Sequence, residues 1–298
     1  LAWFLCDLVR RYAPRARARG EHARAARWRA AAAGWRAALA TQGWDGAWYR
    51  RAFFDDGTPL GTAAAAECRI DLVAQAWAVL GAGEPGAGPE ATRARQAMAS
   101  AAAERADERL GLLRLRHPPL AQARPSAGYI QAYPPGVREN GGQYSHAGAW
   151  AVLAWARLGQ PARAWQAWQG LSPAHRATHP VQGPLYGLEP YAMAADVCSA
   201  APYAGRGGWS WYTGSAGVML RAAIEGLFGL QVAGTRLRLD PQLPPHWPGL
   251  TLRLQLAGRP WVLQLWRADA VHALRRARAR GAGVLRRNAW FDTAAPAS

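Results

Sequence analysis

Lysine is absent from this 298-residue chain, and all 36 basic residues are Arg. Set against 19 acidic residues they give a formal charge of +17, which raises nucleic acid or an anionic membrane surface as partners. The arginines are spread along the chain, and no recognisable binding module frames them. Arginine without lysine, with abundant Ala and Gly, is what a very G+C-rich coding sequence produces. The charge is therefore discounted and no nucleic-acid partner is expected.

Cysteine is also scarce. Cys6, Cys68 and Cys198 are odd in number and far apart, which excludes a disulfide framework and a C-x-x-C metal or redox pair. They read as buried thiols in a reducing compartment, and no metal site is expected. No run of about 18 apolar residues occurs, so no spanning helix is expected, and no segment has the pattern of a signal peptide. Half the residues are hydrophobic, enough for a globular core.

What is present is helical periodicity broken by long polar loops. Residues 1–42 read as two helices joined by an Arg-rich turn around Pro14, with one apolar stripe at Leu5, Leu8, Val9 and Tyr12. A second stripe follows at Ala25, Trp28, Ala32, Trp35 and Leu39. The Arg run there is a solvated face. Gly43 to Thr62 is too rich in Gly, Asp and aromatics for a helix and reads as a ligand-contacting loop. Its Trp44, Trp48 and Tyr49 could stack on sugar faces and its Asp45, Asp55 and Asp56 could bind hydroxyls, or the aromatics pack beneath the loop while the acids cap its turns. Helices are expected over Glu67–Leu80, Glu90–Leu110, Ser145–Leu158 and Pro161–Leu171, and roughly over 215–228. The proline-rich 115–133 is expected to be extended. After Gly229 the period becomes two, predicting strands at Thr235–Leu239, Leu250–Leu256 and Trp261–Leu265.

Two glycine-rich stretches lead into helices. The first, Pro134 to His146, gathers Arg138, Glu139, Gln143 and His146 before the apolar helix through Trp150 and Trp155; Ser145 or Gln143 is expected to cap it. The second, Gly205 to Gly217, carries Trp209, Trp211, Thr213 and Gly214. Two such helix starts, each with free N–H groups, could converge on one tetrahedral anion. Read blandly, the first is a capped surface turn and His146 a satisfied histidine at a helix start. Trp209 and Trp211 either line a pocket or pack the core.

The phrases GYIQAYPPGVRENGGQYSHA (128–147) and GRGGWSWYTGSAG (205–217), with WDGAWY at 44–49 and FDDGTPLG at 54–61, resemble the glycoside hydrolase family 94 phosphorylases. Those enzymes split β-glucosides with inorganic phosphate. Within the family the phrases are most similar to the β-1,2-glucan branch, which includes the carboxy-terminal domain of cyclic β-1,2-glucan synthases and the 1,2-β-oligoglucan phosphorylases. The resemblance covers about residues 1 to 265. It implies a mainly α fold, here part of an (α/α) barrel of six hairpins over 1–229, a small β-sheet segment over 230–268, and an Arg-rich tail, 269–298, that matches nothing in the family.

The resemblance also implies roles. His146, Thr213 and Gly214 would contact phosphate. Glu139 would bind the acceptor-side sugar, with Arg138 and Gln143 assisting, and Asp45 and Trp48 are further substrate-binding candidates. In the family the general acid sits in an Asp-Trp-Asn-Asp phrase upstream of the stretch like Leu1–Leu5. That phrase is missing here, so the chain reads as a carboxy-terminal fragment with no catalytic residue of its own, inactive alone. Glu139, Asp196 and Glu189 are alternative acids. Phosphate is already a nucleophile, so such an enzyme needs one acid and an anion cradle, and no metal or organic cofactor. The expected partners are a β-glucan or glucooligosaccharide and inorganic phosphate, with a homodimer possible. The expected location is cytoplasmic, or the cytoplasmic side of the inner membrane if the chain belongs to a glucan synthase. The rival reading is a non-catalytic glycan-binding remnant of such a synthase.

Overall fold

In the computed structural model, which describes residues 1–83, 86, 88–107, 110–256, 258–266 and 290–292, the chain is mainly helical with small antiparallel sheets. In chain order the helices are α1 (Ala2–Ala18), α2 (His22–Thr41), α3 (Leu72–Gly81), α4 (Pro89–Arg105), α5 (Tyr129–Ala132), α6 (Ser145–Arg157), α7 (Pro161–Leu171), α8 (Pro173–Thr178), α9 (Gln182–Tyr186) and α10 (Thr213–Arg221). A π-helical turn, Ala222–Leu227, continues α10.

Helix α6 is the centre of the packing. Ala147, Gly148, Ala149, Ala151, Val152, Ala154, Trp155 and Ala156 are all buried, so the helix is enclosed on nearly every side. It packs on α3, α7, α10 and the π-helical turn. Small residues allow the close approach: a Cβ added at Gly148 would come within 2.7 Å of Leu171 in α7. The main core runs through Trp3, Trp48, Tyr49, Leu72, Val79, Met98, Val152, Trp155 and Leu171.

Several expectations need correction. Pro14 lies inside α1 and does not end it. The turn comes at Arg19–Glu21 instead, where Gly20 takes a left-handed φ of 80°. The buried face of α1 is Trp3, Cys6, Asp7, Ala13 and Ala16, and the predicted Leu5 stripe is only partly covered. In α2 the predicted stripe is buried at Ala25 and Ala32 alone. Helix α3 starts at Leu72, not Glu67, because the Asp71 carboxylate caps it, accepting from the Val73 and Ala74 N–H groups. Glu67 instead accepts N–H bonds from Ala121, Gln122 and Ala123.

The period-two region forms strands. Leu230–Ala233 pairs with Arg236–Leu239, and Gly249–Leu256 pairs with Arg259–Trp266. Leu230, Leu237, Leu239, Leu252 and Leu263 make a separate core against which Ile224 and Phe228 pack. The Arg-rich tail expected over 269–298 lies outside the described residues except for Trp290–Asp292, a strand that pairs with Arg236, Leu237 and Arg238 and that the sequence reading did not assign. Cys6 and Cys68 are buried and Cys198 half-buried, all as free thiols. Among the described residues no helix is long and apolar enough to cross a membrane.

Candidate functional site

A three-stranded antiparallel sheet brings the two glycine-rich stretches together. Asp196–Val197 is its middle strand, with Gln143–Tyr144 on one side and Gly207–Gly208 on the other. Each outer strand leads towards one helix: Gln143–Tyr144 runs directly into α6, and Gly207–Gly208 precedes α10 by a short loop. The α6 start is fixed where the Ser145 N–H donates to the Ala195 carbonyl at 2.9 Å, and the α10 start where the Tyr212 N–H donates to the Met193 carbonyl at 3.0 Å.

The result is convergence at His146. A Cβ built on Gly214 would stand 4.0 Å from His146 Nδ1, so the first turns of both helices meet there. No side chain caps either helix, which corrects the expected Ser145 or Gln143 cap. Ser145 is buried, and the Gln143 amide is turned the other way. Burial lowers the His146 imidazole below its ordinary pKa, favouring the neutral ring. Its ring lies 4.6 Å from that of Trp150, which lies 5.4 Å from Trp77. His146, Trp150 and Trp77 line one wall of a cavity of about 700 Å³, with Trp3, Phe4 and Arg51 also on its surface.

Arg138 and Glu139 stand on the turn before the sheet. Arg138 takes a left-handed φ of 48°, held by its N–H donating to Asp196 Oδ2 at 2.8 Å. Its guanidinium is 3.5 Å from Glu139 Oε2, and this carboxylate oxygen has no hydrogen-bond partner among the described residues. Burial, with the Glu139 charge nearby, pushes the Tyr144 phenol up to about 12. Asp196 is buried, with Oδ1 unpartnered among the described residues, and a Cβ on Gly208 would come 2.8 Å from that oxygen. Desolvation raises its pKa, partly offset by the Arg138 N–H.

Three predicted substrate contacts are placed elsewhere. Gln143 is buried; its Oε1 accepts from the Leu113 N–H at 2.8 Å and its Nε2 donates to the Gly170 carbonyl at 2.8 Å, leaving its amide committed to the scaffold. Asp45 is surrounded by Arg50 Nη2 at 2.6 Å, Thr62 Oγ1 at 2.9 Å and the Ala63 N–H at 2.6 Å. It staples its own loop. Trp48 is buried, its Nε1 donating to the Gly61 and Arg69 carbonyls, so it offers no face to a sugar. Thr213 and Gly214 are exposed, and Glu139 is half-buried. The reading missed Tyr212, whose N–H ties the α10 start to the Met193 carbonyl and for which there is no sequence signal.

Fold and site together are those of a helical domain whose loops assemble a polar centre compatible with an anion. The family model of the Glycosyl hydrolase 94 superfamily, catalytic domain, matches residues 1–229, and the chain belongs to that family. It is 44% identical over 258 residues to the cyclic beta-(1,2)-glucan synthase NdvB of Rhizobium meliloti, covering 87% of this chain and 9% of that protein. It is 30% identical to the solabiose phosphorylase of Paenibacillus borealis, over 75% of this chain and 28% of that protein. To the 3-O-beta-D-glucopyranosyl-beta-D-glucuronide phosphorylase of the same organism it is 32% identical, over 70% of this chain and 26% of that protein. The chain thus spans less than a third of each of these relatives.

Proposed function

We propose that these residues form the phosphate-binding and acceptor-binding part of an inverting phosphorylase that cleaves β-1,2-linked glucosides to glucose 1-phosphate. The observation that carries the reading is the meeting of the α6 and α10 starts at His146. Two uncapped helix N-termini, the imidazole and the Thr213 hydroxyl supply donors for a phosphate without a metal. In the reaction a phosphate oxygen bonds to the anomeric carbon from the face opposite the leaving group. The glycosidic C–O bond breaks, and the departing oxygen takes a proton from a general acid. The linkage assignment leans on the similarity to the glucan synthase.

The acid is proposed to come from outside residues 1–298. Asp45 is saturated by donors, Asp71 is a helix cap, and Asp196 is buried behind the Arg138 turn. Glu139 would accept from acceptor-side hydroxyls. The helical hairpins would then be part of an (α/α) barrel completed by the rest of the protein. The scheme calls on no organic cofactor.

The test is glucose 1-phosphate release from β-1,2-linked glucooligosaccharides and inorganic phosphate, comparing this chain with a longer polypeptide that extends upstream of Leu1. Turnover by the longer polypeptide only, abolished by His146→Ala, supports the reading. Turnover by residues 1–298 alone would make Glu139 the acid. Saccharide binding without turnover in either would favour a non-catalytic glycan-binding domain.

A further inference from the structure

We infer that Trp209 and Trp211, with Tyr191 beside them and Tyr129 and Tyr133 across Arg138, form a stacking platform for successive glucosyl residues of a glucan chain extending from the acceptor side of the Glu139 centre. The inference rests on the acceptor-binding reading above and adds to it a preference for long chains over disaccharides.

The backbone is the first observation. Trp209 and Trp211 have φ values of 55° and 63°, a left-handed conformation that is an outlier for bulky side chains. The stretch is pinned inward by its main chain: the Ala195 N–H donates to the Gly208 and Trp209 carbonyls, and the Tyr212 N–H to that of Met193. Pinned so, the strained residues turn their indoles outward, 69% and 66% exposed. Large aromatic faces in water and backbone strain both disfavour this arrangement. The two costs together at one exposed site point to a ligand.

The second observation is the company the rings keep. The Arg138 guanidinium lies 5.0 Å from the Trp209 ring centre and 5.6 Å from that of Tyr133. Tyr133 in turn stands 6.3 Å from Tyr129, itself 69% exposed. On the other side, Trp211 is 5.9 Å from Tyr191, and its Nε1 donates to Glu189 Oε1 at 3.2 Å. The rings are therefore oriented by polar partners, and Glu139 and Glu189 each keep one carboxylate oxygen that is covered by the protein yet has no hydrogen-bond partner among the described residues.

Aromatic faces interleaved with carboxylate acceptors suit a pyranose ring, which presents C–H groups on its faces and hydroxyls around its edge. Single-stranded nucleic acid also stacks on aromatics, but it needs a cationic groove. Here the guanidinium between the rings is paired with Glu139, and Glu189 adds a second carboxylate.

The experiment titrates the whole protein carrying these residues with β-1,2-linked glucose oligomers of two and of six units, by calorimetry. The hexamer should bind more tightly than the dimer. Trp209→Ala and Trp211→Ala should each weaken hexamer binding by about tenfold, the scale of one lost stacking contact, and leave dimer binding unchanged. Trp209→Gly and Trp211→Gly, which suit the left-handed backbone, should lose hexamer affinity equally while unfolding at a higher temperature than the parent. Equal affinity for the two oligomers, no binding of either, equal weakening of both by the substitutions, or tighter binding of a single-stranded oligonucleotide would each overturn the platform. Glucose 1-phosphate release is followed separately: its absence, with tryptophan-dependent hexamer binding intact, would sink phosphorolysis and leave the platform standing.

Discussion

His146 and Gly214, 68 positions apart in the chain, are neighbours in space: a Cβ at Gly214 would lie 4.0 Å from His146 Nδ1. That separation leaves room for a methyl group within the protein but takes it from whatever sits between the two helix starts. Gly214→Ala should therefore leave the unfolding temperature near that of the parent while weakening phosphate binding. Measuring both in one preparation decides the matter, and a large loss of stability with phosphate affinity intact would show that Gly214 serves packing instead.

Replacing the imidazole tests the same centre. A hydrogen bond to a charged group is worth about 1.5–3 kcal/mol, so His146→Ala should raise the phosphate dissociation constant by about ten- to a hundredfold. Burial holds the folded imidazole below its ordinary pKa. The folded state thus binds fewer protons than the unfolded state just beneath that ordinary value, and stability falls as pH drops through the window. His146→Gln should remove this acid-side slope, read as the difference between the two unfolding curves against pH.

Asp196 has the opposite sign. Its folded pKa is raised, so the folded state holds the proton over a range where the unfolded chain has lost it. Its contribution to stability then falls as pH rises from about the ordinary carboxylate value through the folded value. Asp196→Asn keeps an acceptor for the Arg138 N–H and removes the buried charge. The variant should be the more stable protein at neutral pH, with the advantage shrinking on acidification. A constant difference at every pH would count against the raised pKa.

Gln143→Leu should act on stability alone. It strands the Leu113 N–H in the interior, whereas the Gly170 carbonyl keeps its bond from Arg176 Nε; the unsatisfied N–H costs about 1–3 kcal/mol. The urea midpoint should drop, whereas saccharide affinity per folded molecule should not change. Selective loss of saccharide binding would return Gln143 to the substrate site.

The legible parts of the fold were those governed by local rules. Pro161 at a helix start and the apolar run from Ala147 to Ala156 mark α7 and α6, whose bounds differ from the reading by no more than a residue. The change to period two marks the strands after Gly229. The α3 start was misread because Asp71 and Glu67 are both plausible first-turn acids. Only the pairing of Ile70–Asp71 with Arg116–His117 makes the stretch before Leu72 extended. In the site, Arg138, Glu139 and His146 were named from one contiguous phrase, but the phrase is blind to direction: Gln143 within it points into the scaffold.

By itself the sequence determined the helical character, the strand-forming end and the family phrases, since each depends on residue type and spacing along one stretch. The tertiary structure alone decided that the two helix starts meet and that Asp196 lies between their strands. It also decided that Trp48 is core while Trp209 and Trp211 face outward. An indole has the same composition in every setting, and whether its face meets a carbonyl, a guanidinium or water depends on strands that pair across more than fifty residues of chain.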